Sequence, residues 1–401
     1  MKPLFTSDFF TNNRKSLQEK LKVGALVVVA GYGEMQRGHD AAHPFEQEGS
    51  FWYLSGIEAP DWWLIIDGRK SYAVAPHVDE VKQTFDGSLS PELAKQISGV
   101  DVVIDRDEAM SRLRDAKRQH TVVHTIDQPD FIREHANFYL NPAQSELKTI
   151  LERTFQSVVD CGKQVATLRT IKQPEEIEAI KQAVKLTCSA FQSMKKELNR
   201  YAYEYQAEAK LTYEIRRAGA AGHAYSPIVA DGHNACTLHY VHNNAKLQKK
   251  SLALFDVGAR LHGYAADISR TYAVGQLTKR QIAVHDAVRE AQAEIIKLLK
   301  PGLGFVEYQH QVDEIMKRAL TQLKLDPEKL HVYMPHAVSH GLGIDVHDML
   351  AGYDSLQSGM VLTVEPGIYL PSENIGVRIE DDILITDTGH KNLSSHLDTG
   401  F

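Results

Sequence analysis

Four acidic residues and a group of histidines in the C-terminal half stand where folding alone gives them no easy place. Asp256 and Asp267 flank a turn around Leu261–Gly263, within two β-like runs. If the hairpin is centred between Leu261 and His262, the two aspartates lie directly opposite each other, with Cβ atoms roughly 5 Å apart. Like charges so placed repel. Asp256 also sits between Phe255 and Val257, in a run that reads as buried. Buried charges are normally paired or bound to metal, and a cation between the carboxylates relieves both penalties. The other reading is a different register, with one aspartate a solvated turn residue.

His336, His340 and His347 fall close together, with Gly341 and Gly343 among them. The first two share a face if the segment is helical. Ala337 stands where the zincin motif needs glutamate, so this is not that motif. The glycines permit close backbone approach. Glu365 ends the apolar run from Met360, and Glu380 follows Ile379 inside a β-like run. Acidic residues are disfavoured in buried strands, so both read as ligands. Asp381 and Asp382 read as bend or solvent-facing residues. The candidate metal set is Asp256, Asp267, His340, Glu365 and Glu380. Four carboxylates are too many for one divalent ion and suit two. Oxygen-rich ligation favours Mn²⁺, with Co²⁺, Zn²⁺ or Fe²⁺ as alternatives. Two metals about 3.5–4 Å apart activate a water and clamp a tetrahedral intermediate.

The surrounding pattern must position these groups. Helices are expected over 203–219, 279–299 and 306–323, the second stopped by Lys300-Pro301-Gly302. Strands are expected at Leu252–Arg260, Tyr264–Val274, Met360–Leu370 and Gly376–Thr386. Strand pairs separated by helix pairs indicate an α+β domain, not a parallel doubly wound sheet. Another helix starts at Lys172-Gln173-Pro174-Glu175-Glu176, with proline in its first turn and acids at its positive end. Upstream, Asp8–Lys20 reads as a helix and Val23–Ala30 as a buried strand. Phe51–Leu54 and Trp62–Ile66 read as paired strands, and 141–169 as a long helical zone. The domains are therefore set at 1–160 and 161–401.

The chain has 401 residues, more than one typical core accommodates. Hydrophobic residues at 43% and charged residues at 24% fit a globular protein. A net charge of -7 with no Lys/Arg run gives no reason to bind nucleic acid. Cys161, Cys188 and Cys236 are scattered and odd in number, which fits a reducing cytoplasm. The opening MKPLFTSDFF has no apolar run, so no export signal is expected, and no stretch is long enough to span a bilayer. Gly31-Tyr32-Gly33 lacks the third glycine of a dinucleotide loop. Asn392-Leu393-Ser394 is a sequon without a use in the cytoplasm. His43, His77, His120, His124 and His135 read as ordinary histidines.

The ordered motifs FDVGARLHGYAADISRTY (255–272), HAVSHGLGIDVHD (336–348), MVLTVEPGIYL (360–370) and GVRIEDDILIT (376–386) resemble those of the pita-bread metallopeptidases. Within that group the chain resembles the Xaa-Pro peptidases, prolidase and aminopeptidase P. The segment HPFEQEGSFWYLSGIEAPDWWLIID (43–67) resembles the N-terminal domain of aminopeptidase P-type enzymes. The resemblance implies a pita-bread (creatinase/aminopeptidase) catalytic domain after a smaller α/β domain. It implies two divalent metals, Mn²⁺ first and Co²⁺ or Zn²⁺ next, and a homodimer acting on proline-containing di- or oligopeptides. It implies that Asp256 and Asp267 hold one metal, His340 and Glu365 the other, with Asp267 and Glu380 bridging. Glu365 would shuttle a proton. His239 would contact substrate and His347 would stabilise the tetrahedral intermediate. His336 would line the proline pocket, Tyr225 would bond a ligating carboxylate, and Arg378 would orient a carboxylate.

Prolidases carry an arginine before the TVEPG motif that pairs with the dipeptide's carboxylate. Here Asp348–Gly359 contains no Arg or Lys. The leading expectation is still an Xaa-Pro dipeptidase, because the chain lacks added segments; the alternative is aminopeptidase P. A non-catalytic relative or a metal-free creatinase-like hydrolase is disfavoured, since all five ligand positions are filled.

Overall fold

Residues 4–129, 137 and 139–401 are described by the computed structural model; His135 lies outside them. The chain divides into two compact units, Met1–Leu168 and Arg169–Phe401. The division falls within the helix Gly162–Thr170, later than residue 160.

In the first unit, β1 (Leu26–Ala30), β2 (Trp63–Asp67), β3 (Lys70–Val74), β4 (Val102–Ile104), β5 (Val122–Thr125) and β6 (Ser157–Asp160) form a sheet ordered β4-β3-β2-β1-β5-β6. The pairs β1–β2 and β2–β3 are antiparallel and the others parallel. Two expectations fail here. Phe51–Leu54 is no strand but part of the helix Gly49–Ser55, capped by Glu48 accepting from Phe51 N and stopped at Gly56. Its aromatic rings meet those of the helix Ser7–Leu21, with Phe10 edge-on to Trp52 and Phe9 to Tyr53. Tertiary aromatic packing thus decides a segment whose β propensity is high. The zone 141–169 holds two helices, Ala143–Glu152 and Gly162–Thr170, with β6 between them.

In the second unit, β7 (Gly222–His223), β8 (Ile228–Asp231), β9 (Ser251–Val257), β10 (Ala259–Leu261), β11 (Tyr264–Ala265) and β12 (Ile268–Val274) form the sheets β11-β10-β7 and β12-β9-β8. Then β13 (Val361–Val364), β14 (Gly367–Leu370), β15 (Ile375–Arg378), β16 (Asp381–Thr386) and β17 (Gly389–Asn392) form β13-β16-β17 and β14-β15. The helices Lys279–Leu298 and Phe305–Gln322 bury Val288, Ile295, Val312 and Met316 against Leu362, Ile368, Val377 and Ile383. Each such side chain contributes about 1.5–3 kcal/mol when removed from water. The helix Pro174–Glu197 starts on its proline, and Glu176 caps Gln173 N. Among the described residues no helix is long and apolar enough to cross a membrane.

The hairpin register differs from the expected one. The turn is His262-Gly263, both at positive φ (54° and 80°), which is type I′ geometry matched to strand twist. Asp256 therefore opposes Ser269, and Asp267 lies in the break between β11 and β12. Nor is 336–340 helical. It runs extended beside β13, with Glu365 N bonded to Val338 O, Thr363 N to His340 O, and Leu342 N to Val361 O.

Asp381 and Asp382 are fully buried, not solvent-facing. Asp381 accepts from Arg270 at 2.7 Å, Gln292 at 2.8 Å and Ser394 at 2.6 Å. Burial works against its charge, but Arg270 together with the hydrogen bonds from Ser394 and Gln292 holds it below the ordinary carboxylate range. Asn392, of the apparent sequon, also donates to it. Arg270 spends its remaining donors on the carbonyls of Ser269, Glu380, Leu397 and Asp398. Truncating one partner of such a pair strands the other's charge. Asp381→Ala should therefore cost about 3–5 kcal/mol, read as a lowered denaturant midpoint in the metal-free protein. A loss below about 1 kcal/mol would contradict this account.

Candidate metal centre

Three of the four candidate carboxylates sit where strands are interrupted. Glu365 follows β13, Glu380 lies between β15 and β16, and Asp267 lies between β11 and β12; Asp256 is inside β9. The interruptions are held in place by hydrogen bonds. Glu380 N donates to Ser269 O and Asp267 N to an Asp382 carboxylate oxygen. His340 N donates to Thr363 Oγ1 at 3.1 Å.

These residues converge on a cavity of about 560 Å³. It is lined by all five candidate ligands, and also by Tyr225, His239, His336, His347 and Arg378. One ligand atom each from Asp267, His340 and Glu380 lie within 4.8 Å of one another. His340 Nε2 stands 3.4 Å from both Asp267 Oδ2 and Glu365 Oε1. Its Nδ1 donates to Gly341 O at 3.0 Å, which leaves the Nε2 lone pair facing the carboxylates in the neutral ring.

The carboxylates are short of positive charge. Tyr225 OH lies 2.5 Å from an oxygen of Asp256 and from one of Asp267. A phenol has one proton, so it satisfies one of them only. Arg378 reaches the other Asp256 oxygen through Nη2. Ser269 Oγ donates to Glu380 at 2.8 Å. Burial, then Asp267, Glu365 and Asp256, push Glu380 far above its ordinary value. Burial also raises Asp267 and lifts Glu365 to about 7. His340 is opposed by burial, but Asp267 and then Glu365 raise it to about 9. Divalent cations among these oxygens would replace the protons, so the residues present fit a metal pair.

Arg378 does not stand free for a ligand's carboxylate. Nε donates to Ser269 Oγ at 3.0 Å, Nη1 to Tyr369 OH at 2.8 Å, and Nη2 to Asp256. Tyr369 OH in turn donates to His336 Nε2 at 2.9 Å, since His336 Nδ1 is turned to Ala337 O. Burial keeps His336 neutral, with its value lowered to about 4. His347 stays exposed at the cavity mouth, with its ring 4.4 Å from and perpendicular to that of His340. Partial burial, then His340 and His239, lower its affinity for a proton.

Sequence reasoning missed Ser269, Tyr369, Asp382 and the apolar wall of Ile228, Leu238, Val241 and Val346. Ser269 was legible once His262-Gly263 is taken as the turn. Nothing in the sequence marks the apolar wall.

Residues 178–387 match the profile of metallopeptidase family M24, and residues 10–124 that of the aminopeptidase P N-terminal domain. The chain belongs to metallopeptidase family M24. It is therefore a hydrolase, and its α+β pita-bread class is the one expected from the motifs. This M24 chain is 30% identical to the Xaa-Pro aminopeptidase of Escherichia coli K12, over 96% of this chain and 94% of the relative. It is 30% identical to human Xaa-Pro aminopeptidase 3, over 93% and 78%. The solved aminopeptidase P of E. coli in its low-pH form superposes with a TM-score of 0.87 at 29% identity, covering 98% of this chain and 96% of that one. The same enzyme with the inhibitor Pro-Leu gives 0.86 at 28% and the same coverage.

Metal must displace protons from the raised carboxylates of this M24 chain. Affinity for Mn²⁺ should fall as pH drops from about 9, where His340 gains its proton, and more steeply below about 7, where Glu365 does, by roughly tenfold per pH unit for each proton displaced. Titration calorimetry at pH 6 and 8, in buffers of different ionisation enthalpy, measures both affinity and proton release. Affinity independent of pH would rule this out.

Proposed function

We propose that this chain is a dinuclear metallopeptidase of the aminopeptidase P type, releasing the first residue from peptides with proline second. The observation that carries this is the convergence of Asp256, Asp267, His340, Glu365 and Glu380 in one cavity. Asp256 and Asp267 would hold one metal and His340 and Glu365 the other, with Asp267 and Glu380 bridging. Four carboxylates and one imidazole favour Mn²⁺. When bound, the pair supplies Lewis-acid polarisation of the scissile carbonyl and a more acidic attacking water.

The chain's own residues do the rest. Glu365 would take a proton from the attacking water and return it to the leaving nitrogen. That return matters because a proline nitrogen is a poor leaving group until protonated. His239 and His347, exposed at the mouth, would donate hydrogen bonds to substrate oxygen. Arg378, bonded to Asp256, and Tyr225, bonded to Asp256 or Asp267, would hold these carboxylates in orientation. Free thiols at Cys161, Cys188 and Cys236 support a reducing compartment such as the cytoplasm.

The dipeptidase expectation gives way to its alternative. A dipeptide's carboxylate needs a cation, and Arg378, the one Arg or Lys among the described residues lining the cavity, is committed to Asp256, Ser269 and Tyr369. The relatives' names, Xaa-Pro aminopeptidase, support the same choice.

With Mn²⁺, Ala-Pro-Ala should be cleaved after alanine while Ala-Pro is turned over at least tenfold more slowly; comparable turnover of Ala-Pro would return the dipeptidase reading. Asp267→Ala and Glu380→Ala should each remove more than about 99% of activity, in line with loss of a ligand shared by both metals. Substantial residual turnover would contradict the bridging roles.

A further inference from the structure

The His347 side chain has little support at the cavity. Among the described residues its ring takes no hydrogen bond, and one side is exposed. The ring stands perpendicular to that of His340. The position of the imidazole is therefore set by its backbone.

That backbone is pinned at the next residue. Asp348 N donates to Gly341 O at 2.8 Å, closing the loop 341–348 on itself. The Asp348 side chain is buried between two cations, with Oδ1 2.9 Å from Arg169 Nη2 and Oδ2 3.4 Å from Lys172 Nζ. Arg169 also holds Asp345, two residues before His347, at 2.5 Å. Thr170 accepts from Ala351 N and donates to Met349 O. The strap 169–172 thus grips the loop on both sides of His347.

The glycines of His340-Gly341-Leu342-Gly343 exist for this docking. A Cβ on Gly343 would come 1.9 Å from Asp348 Oδ2, and one on Gly341 would come 2.4 Å from Asp348 O. Both positions must be bare for Asp348 to reach its cations.

We infer that Asp348, held by Arg169 and Lys172, is a positioning residue that aims His347 at the substrate. The inference rests on the catalytic reading of His347 given above. Misplacing a reacting group by about 1 Å can cost about 10²-fold in rate, and groups acting as a unit show non-additive losses.

The test is a double-mutant cycle on Mn²⁺-loaded full-length enzyme with Ala-Pro-Ala. Asp348→Asn should lower kcat roughly 10–100-fold with KM within about threefold and metal content unchanged. Added to His347→Ala, it should cost less than about twofold more. Multiplied losses in the double variant would overturn the inference. Gly343→Ala keeps every charge and displaces Asp348 by contact alone. It should reproduce the Asp348→Asn kinetics, and wild-type kinetics would overturn the clamp even if Asp348→Asn does not fold. Ring NMR separates the two readings. If His347→Ala is fully active, the catalytic reading fails. Asp348→Asn must still shift the His347 ring resonances and leave those of His239 in place, or the clamp fails as well.

Discussion

Four carboxylates gathered in one cavity repel one another, and the second unit is arranged around that repulsion. Water cannot screen Asp256, Asp267 and Glu380, because all three are buried. The protein supplies less positive charge than they need. Arg378 touches one of them, Tyr225 shares a single proton between two, and His340 faces Asp267 and Glu365. The residual imbalance appears as raised proton affinity at Asp267, Glu365 and Glu380. In a site of this kind metal and protons compete for the same oxygens, so metal binding is coupled to proton release.

Holding such a site requires a frame that cannot relax. Arg270 is part of that frame. It is buried, saturated by one carboxylate and four carbonyls, and it ties the strand carrying Ser269 to the backbone of Glu380. A buried ion pair of this kind is weak as a source of stability, but each of its partners is fixed in place by Arg270. Asp382 acts on the opposite strand by fixing the backbone of Asp267. The apolar packing of Lys279–Leu298 and Phe305–Gln322 then closes the outer side.

The imidazoles divide into two kinds. His340 and His336 are fixed through Nδ1 by neighbouring carbonyls, so their Nε2 atoms have one defined role. His347 and His239 are left exposed at the mouth. Fixed groups suit ligation and pocket walls, while exposed donors suit a ligand that must enter and leave.

Much of this was legible in the residues. Acids inside apolar runs at Asp256, Glu365 and Glu380 are costly unless paired, and that cost alone marks them. Helices with clear starts and stops, such as Pro174–Glu197 and Lys279–Leu298, followed from local chemistry. The tertiary structure decided the rest, for reasons that local pattern does not carry. A hairpin's register shifts with its turn, so whether Asp256 faces Asp267 or Ser269 depended on His262 adopting positive φ. Aromatic packing against a distant helix made Gly49–Ser55 helical. Burial turned Asp381 from an apparent bend residue into the partner of Arg270. Arg378 looked available to a substrate until its three neighbours, remote in sequence, were seen to occupy it. Sequence spacing thus named the groups that could not be left alone, and only the packed fold determined which partner each one found.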